Sequence, residues 1–251
     1  MSWDNMNNDT VRKDNFVWVM LALLLALLIV FVLRVIVLLP YRQDATKSLL
    51  TAIGAEDITG VNRLIRKRVN VNAITLSNES IKVTPLTYAV MNNKEPEILR
   101  TLIKNGADVN PTGVVGTPLL WAVRRNNHEF VQILTENGAD LNPSEYSRTP
   151  LMDAASHNSN PEILRILIKN GADINAVDRG GRTPLMMAAE ANPNPEILRT
   201  LIEKGADVNL IADNGKKAID YAEENEKLKG TDAYNLLREK TVPPSLKTKP
   251  L

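Results

Sequence analysis

Two histidines, a spaced row of aspartates and a glycine-rich loop are the residues whose types could do chemistry in this chain. His128 and His157 are the only imidazoles in the sequence. An imidazole becomes a general base when a carboxylate, hydroxyl or thiol stands within hydrogen-bond reach. These two lie in different repeats of the chain with no carboxylate cluster common to both, so each is expected to be a surface histidine. His157 is also a candidate for contact with a partner. The cysteine count is 0, which excludes disulfides, thiolate catalysis and cysteine-based zinc sites. Asp108, Asp140, Asp173 and Asp207 each close a Gly-Ala-Asp triplet. A carboxylate row can attract a divalent cation, but the identical context of all four marks them as parts of a turn. The stretch "DRGGR" at 178–182 is rich in glycine, yet it does not lead from a strand into a helix as phosphate-cradling loops do. No catalytic residue, metal or cofactor is expected.

The elements that carry these residues recur. "PEILRTLIKNGADVN" at 96–110 returns as "PEILRILIKNGADIN" at 161–175 and "PEILRTLIEKGADVN" at 195–209. A second phrase begins at Thr84 ("TPLTYAV"), Thr117 ("TPLLWAV"), Thr149 ("TPLMDAA") and Thr183 ("TPLMMAA"), at intervals of 33, 32 and 34 residues; "KAIDYAE" follows 34 further on, at Lys217. A fixed period of this length means one structural unit stacked on itself. Within a unit, Thr can cap a first helix through its hydroxyl. Pro fits the first helical position, where its missing N–H costs nothing. Leu86 and Ala89, with their counterparts, share one helical face. The second helix begins at Pro96, Pro161 and Pro195, with Glu97, Glu162 and Glu196 at the positive end of its dipole. Ile98, Leu99, Leu102 and Ile103 form its apolar stripe. Gly106, Gly138, Gly171 and Gly205 then supply a left-handed C-terminal cap.

These motifs resemble the ankyrin repeat, with its T-P-L-H-x-A phrase and its second helix ending in G-A-D-V-N. The resemblance covers residues 46–240, about four-fifths of the chain. It implies an all-α solenoid of paired antiparallel helices with protruding β-hairpin loops, about five to six units within 47–240. The second-helix phrase is more similar to bacterial members of the family than to animal ones. Three departures stand out. The family's His after T-P-L is Thr87, Leu120, Met152 and Met186 here, so the hydrogen bond it supplies is expected to be missing. The first unit has Arg68 where Gly is expected, and the last, from Lys217, lacks G-A-D. Divergent end units are expected caps, because one face of each meets water.

Ahead of the repeats, residues 1–15 are polar and read as a tail. Residues 16–33, FVWVMLALLLALLIVFVL, carry no charge; Arg34 and VIVLL follow. The 16–39 stretch gives roughly 24 residues, or about 36 Å of helix, enough to cross a hydrocarbon core of about 30 Å. No small-x-small cleavage site follows it, so an uncleaved single transmembrane helix is expected, touching the lipid bilayer through residues 16–39. Ala22 and Ala26 form a small-xxx-small pair that allows weak helix association, though a plain anchor suits the segment better. Residues 40–46 read as a linker, and 241–251, with three prolines, as a disordered tail. Arg12 and Lys13 before the span nearly balance Arg34, Arg42 and Lys47 after it, so the positive-inside rule gives little direction. A short basic tail inside places the repeats on the extracytoplasmic, periplasmic side; the cytoplasm is the alternative. The run "RLIRKR" (Arg63, Arg66, Lys67, Arg68) is read as a solvated helix face, with attraction to anionic lipid as the functional alternative.

A net charge of +1 and a pI of about 7.9 give no global field for nucleic acid. Nor is a small-molecule substrate expected. Function is therefore expected on the surface. Members of the resembled family bind partners through variable positions of the hairpins and first-helix ends, which line a concave groove. Mapped here, these are Val114, Glu145, Tyr146, Arg148, Arg179 and Arg182 in hairpins, and Met91, Arg124, Arg125 and His157 at helix ends. Trp121 and Tyr88 are expected to pack in the core. The expected function is that of a membrane-tethered, non-catalytic module binding a protein partner. The alternative is a regulatory or inhibitory subunit of a larger membrane assembly or enzyme.

Overall fold

A computed structural model describes residues 20, 23–32, 45–77, 81–92, 95–114, 116–143 and 148–241. The chain divides into two compact units, 1–48 and 49–251. In the first, the described residues 23–32 and 45–48 are helical. Every large aliphatic or aromatic side chain between 23 and 32 is exposed, from 44 % at Val32 to 67 % at Leu27. Among the described residues no helix is long and apolar enough to cross a membrane. Residues 16–19, 21–22 and 33–39 of the expected span, with the tails 1–15 and 242–251, lie outside the described residues.

The second unit opens with helical residues 49–54 (α1) and α2 (Ile58–Arg66). Four further helix pairs follow: α3 (Pro85–Asn92) with α4 (Pro96–Lys104), α5 (Pro118–Arg124) with α6 (His128–Glu136), α7 (Pro150–His157) with α8 (Pro161–Lys169), and α9 (Pro184–Ala191) with α10 (Pro195–Glu203). A sixth pair, α11 (Ala218–Glu224) and α12 (Asp232–Lys240), closes the series. First helices from α3 to α11 pack on one another in sequence order, as do second helices from α2 to α12, making two layers. Ala89, Ala122, Ala154 and Ala188 are at most 1 % exposed. Their small side chains let successive first helices approach closely. Leu86, Leu119, Leu151 and Leu185 are fully buried beside them, and each such burial stabilises by about 2 kcal/mol.

The caps follow the sequence. Thr117, Thr149 and Thr183 accept from the N–H groups of Leu120, Met152 and Met186. Gly106, Gly138, Gly171 and Gly205 take φ of 84°, 81°, 100° and 95°. Arg68 adopts the same conformation at φ 60°, and its N–H bonds the Ile65 carbonyl as Gly106 bonds Ile103. The first unit therefore has the regular C-cap geometry despite its side chain.

Two expectations need correction. The bond attributed to the missing histidines is partly replaced. Thr87 Oγ1 lies 3.0 Å from Thr84 Oγ1, and Met152 Sδ accepts from the Thr149 N–H at 3.5 Å. The all-α class is also too coarse, since one connecting loop forms a β-hairpin of the kind that the resemblance implies. β1 (Thr75–Ser77) pairs antiparallel with β2 (Ile81–Val83), Thr75 opposite Val83 and Ser77 opposite Ile81. The connection from Asn72 to Thr84 is longer than the others and carries β-branched residues, so its two arms can pair.

Asparagines at the ends of the "ADVN" turns stitch unit to unit. Asn72, Asn110 and Asn142 donate through Nδ2 to the carbonyls of Gly106, Gly138 and Gly171. Their Oδ1 atoms accept from the N–H groups of Asp108, Asp140 and Asp173. Asn175 accepts likewise from Asp207. Each of these aspartates turns its own Oδ1 to the N–H two residues on, at 2.8–2.9 Å. The row is thus turn structure, and no group of three or more metal-ligating side chains occurs among the described residues.

Candidate functional site

Arg124 ends α5 and reaches the next unit. Its Nε donates to Asp153 Oδ2 at 2.7 Å; the arginine side chain is 52 % exposed and the aspartate 5 %. A carboxylate so buried needs a partner, and Arg124 supplies one with a single N–H, leaving its outer donors toward solvent. Asp153 stands where other units place Tyr88, Trp121, Met187 and Tyr221. Tyr88 and Trp121 are half-buried against the core as expected. His157 is exposed, with Nδ1 3.4 Å from the Asp153 carbonyl. Arg125, the C-cap of α5, is exposed and makes no ion pair with a described residue. His128 opens α6 beyond its cap Asn127 and is exposed.

Arg182 is also held inside the fold. Its Nε and Nη2 donate to Asp178 Oδ2 at 3.1 and 3.0 Å, and its Nη1 to Glu190 at 3.1 Å. Asp178 Oδ1 meanwhile accepts from the N–H groups of Gly180 and Arg182, both at 2.9 Å. Burial pushes the Asp178 carboxyl up, but those two N–H groups and the Arg182 guanidinium outweigh it and hold the pKa below the ordinary value. Burial acts downward on Arg182, and Asp178 and then Glu190 more than offset it. The "DRGGR" stretch is accordingly a loop tied by its own first and last residues. In the next unit Lys216 meets Glu224 at 2.6 Å and sits 5.2 Å from the centroid of the Tyr221 ring. Its pKa is raised, chiefly by the Glu224 hydrogen bond.

These groups, with Arg148 and Arg179, line an open pocket of about 640 Å³ spanning three successive units. Of the sequence-derived candidates, Arg148, Arg179 and Arg182 come together there. Arg124 and His157 share Asp153 instead. Met91 is half-buried against the core, and Val114 is half-buried in its own loop. Glu145 and Tyr146 lie outside the described residues. Two of these mapped positions, Arg124 and Arg182, are committed to carboxylates of the fold itself. Asp153, Asp178, Glu190 and Glu224 escaped the sequence reading. Asp153 alone had a signal, a charge at a phase otherwise apolar or aromatic.

Paired helices in two layers, with connecting loops that line a polar pocket, define a helical-repeat scaffold. Family models described as Ankyrin repeats (3 copies) match residues 113–178 and 160–247, and one described as Ankyrin repeats (many copies) matches 86–135. The chain belongs to the ankyrin-repeat family. Repeats of this kind are in general protein–protein interaction modules rather than catalysts. Comparison with curated proteins gives no match.

Proposed function

We propose that this chain is a membrane-tethered module that binds a protein partner through its hairpins and first-helix ends, without chemistry. One contrast carries the proposal. Across the second to fifth units, the arginines of the second helices are compensated within the fold: Arg100 by Glu129, Arg165 by Glu162, Arg199 by Glu196 and Asp232. On the hairpin side, Arg125, Arg148 and Arg179 make no ion pair with a described residue. Such exposed pairs contribute little to stability, so the contrast matters for recognition, where arginine is an enriched anchor. A partner recovered by crosslinking should lose about thirtyfold or more in affinity for Arg125→Ala/Arg179→Ala. Arg100→Ala/Arg165→Ala should bind as wild type. Equal binding by both double variants would move the interface to the second-helix layer.

The tether is proposed from the uncharged 16–33 run and the exposed apolar side chains of 23–32. Anchoring beside the bilayer raises the local concentration of the module for membrane partners. Alkaline carbonate should leave the protein in the membrane pellet; release into the supernatant would remove the anchor from the proposal. Extracytoplasmic repeats predict that a C-terminal tag is open to protease in spheroplasts, and protection there would turn the repeats to the cytoplasm.

A further inference from the structure

The hairpins of the fifth and sixth units meet at one point. The Asp213 N–H donates to the Gly180 carbonyl at 3.0 Å. The approach is so close that a Cβ at Gly181, where φ is 69°, would stand 2.7 Å from Asp213 Oδ1 and 3.1 Å from Asp213 N. With Asp178 holding the same loop from within, this wall of the pocket is fixed before any ligand arrives. The acids here are largely committed: Asp178 and Glu190 to Arg182, Glu224 to Lys216. What stays open is donor capacity. Arg148 and Arg179 line the pocket and make no ion pair with a described residue, and each guanidinium carries five N–H donors. The lining holds four acids and four cations in all, and among the described residues Asp213 is the one lining acid outside those ion pairs, so the donor capacity is local to Arg148 and Arg179 and is not a net positive charge of the pocket.

Two exposed aliphatic residues precede the lining loops in sequence. Val177 and Ile211 are each 60 % exposed and occupy the same place in adjacent units, just before the two loops. One exposed aliphatic residue needs no explanation. Two at the same place in successive units, each next to or two residues before a lining acid (Asp178 and Asp213), offer exposed apolar surface close in sequence to the pocket loops.

We infer that this pocket takes the acidic side chain of an extended segment of a protein partner, with aliphatic neighbours of that acid lying on Val177 and Ile211. The inference rests on the interaction-module proposal and adds the chemistry of the partner. A carboxylate matches the planar fork of arginine, and charge-assisted hydrogen bonds are about twice as strong as neutral ones. Because the loops are already tied, little ordering cost attends binding.

The test is selection of a phage-displayed random peptide library on the full-length chain in non-ionic detergent. Enriched peptides are then measured against wild type, Arg148→Ser/Arg179→Ser and Arg100→Ala/Arg165→Ala, with melting curves as the check on folding. The expected result is a shared Asp or Glu next to an aliphatic residue. Affinity should fall tenfold or more for the first variant and not for the second, and replacing the peptide acid by its amide should have the same effect. Enriched peptides without an acid, or peptides that bind the Arg148/Arg179 variant normally, overturn the pocket while leaving the interaction module intact. No enrichment at all overturns both. A variant that melts early is replaced by Val177→Ser/Ile211→Ser, which should lower affinity for the same peptides severalfold; unchanged binding there also overturns the inference.

Discussion

Asn142 and Asp173 belong to neighbouring units, and the Asp173 N–H donates to Asn142 Oδ1 at 2.9 Å. The same asparagine gives its Nδ2 to the Gly171 carbonyl at 3.2 Å. One amide thus satisfies two backbone groups of the next turn. Asn209 holds the corresponding place in the fifth unit, but the sixth has no Gly-Ala-Asp turn to receive it. Its Oδ1 is buried without a partner.

Asn142→Ala should therefore destabilise the repeats by about 1 kcal/mol, since two hydrogen bonds are lost while water can reach the exposed backbone groups they leave. Asn209→Ala should change stability by less than about 0.5 kcal/mol, because it deletes an acceptor already unsatisfied. Urea unfolding of a 46–251 fragment measures both, the repeats depending mainly on their neighbours. Equal losses would mean that the ladder contributes nothing beyond the fifth unit's own turn.

Arg68 offers a gain. It is exposed and held at φ 60°, where the other units have glycine. Left-handed conformation costs a side chain roughly 1–2 kcal/mol, and part of that is offset by the greater freedom of glycine in the unfolded chain. Arg68→Gly should raise stability by about 0.5–1 kcal/mol, and a lower urea midpoint would contradict it.

Much of the stack was legible in the sequence because each local signal agreed with the same unit. Thr-Pro starts a helix, "PEIL" starts its mate, and Gly at a positive φ ends it. What escaped was side-chain pairing across units. Asp153 stands out in its phrase but its partner does not, and only the stacking of α5 on α7 brings Arg124 to 2.7 Å from it. A variable position is thus not always a free one. The asparagine at the C-cap of the first helix shows the same limit. Asn192 donates to the Ala155 and Asn158 carbonyls of the unit before. Asn158 holds the same C-cap place on α7, yet its Nδ2 is buried without a partner.

The Arg124–Asp153 pair makes an asymmetric prediction. Arg124→Ala leaves a buried carboxylate without its ion-pair partner among the described residues, and removing a half-exposed side chain opens a path for water to it. The loss should be about 1–2 kcal/mol, below the range for a fully buried pair. Asp153→Met should be neutral or stabilising, because Met187 already fills the equivalent place in the next unit at 1 % exposure. Thermal melts of the two variants decide it; a larger loss for Asp153→Met would assign the aspartate a role in ordering the groove face.

Asp178 predicts a pH dependence. Its folded pKa lies below the ordinary 3.8. A depressed carboxyl adds stability that is fully present above the unfolded pKa and is lost as pH falls through the folded one. Asp178→Asn keeps an oxygen for the Gly180 and Arg182 N–H groups but removes the charge facing the guanidinium. Wild type should thus exceed the variant by a constant margin from pH 7 down to about pH 5. The margin should narrow below about pH 4 and close once Asp178 is protonated in both states. Urea midpoints of the pair across that range are the measurement, and taking the difference cancels the titration common to the other acids. A margin that persists unchanged to the lowest pH at which the repeats stay folded would show that the loop is held by its backbone hydrogen bonds alone.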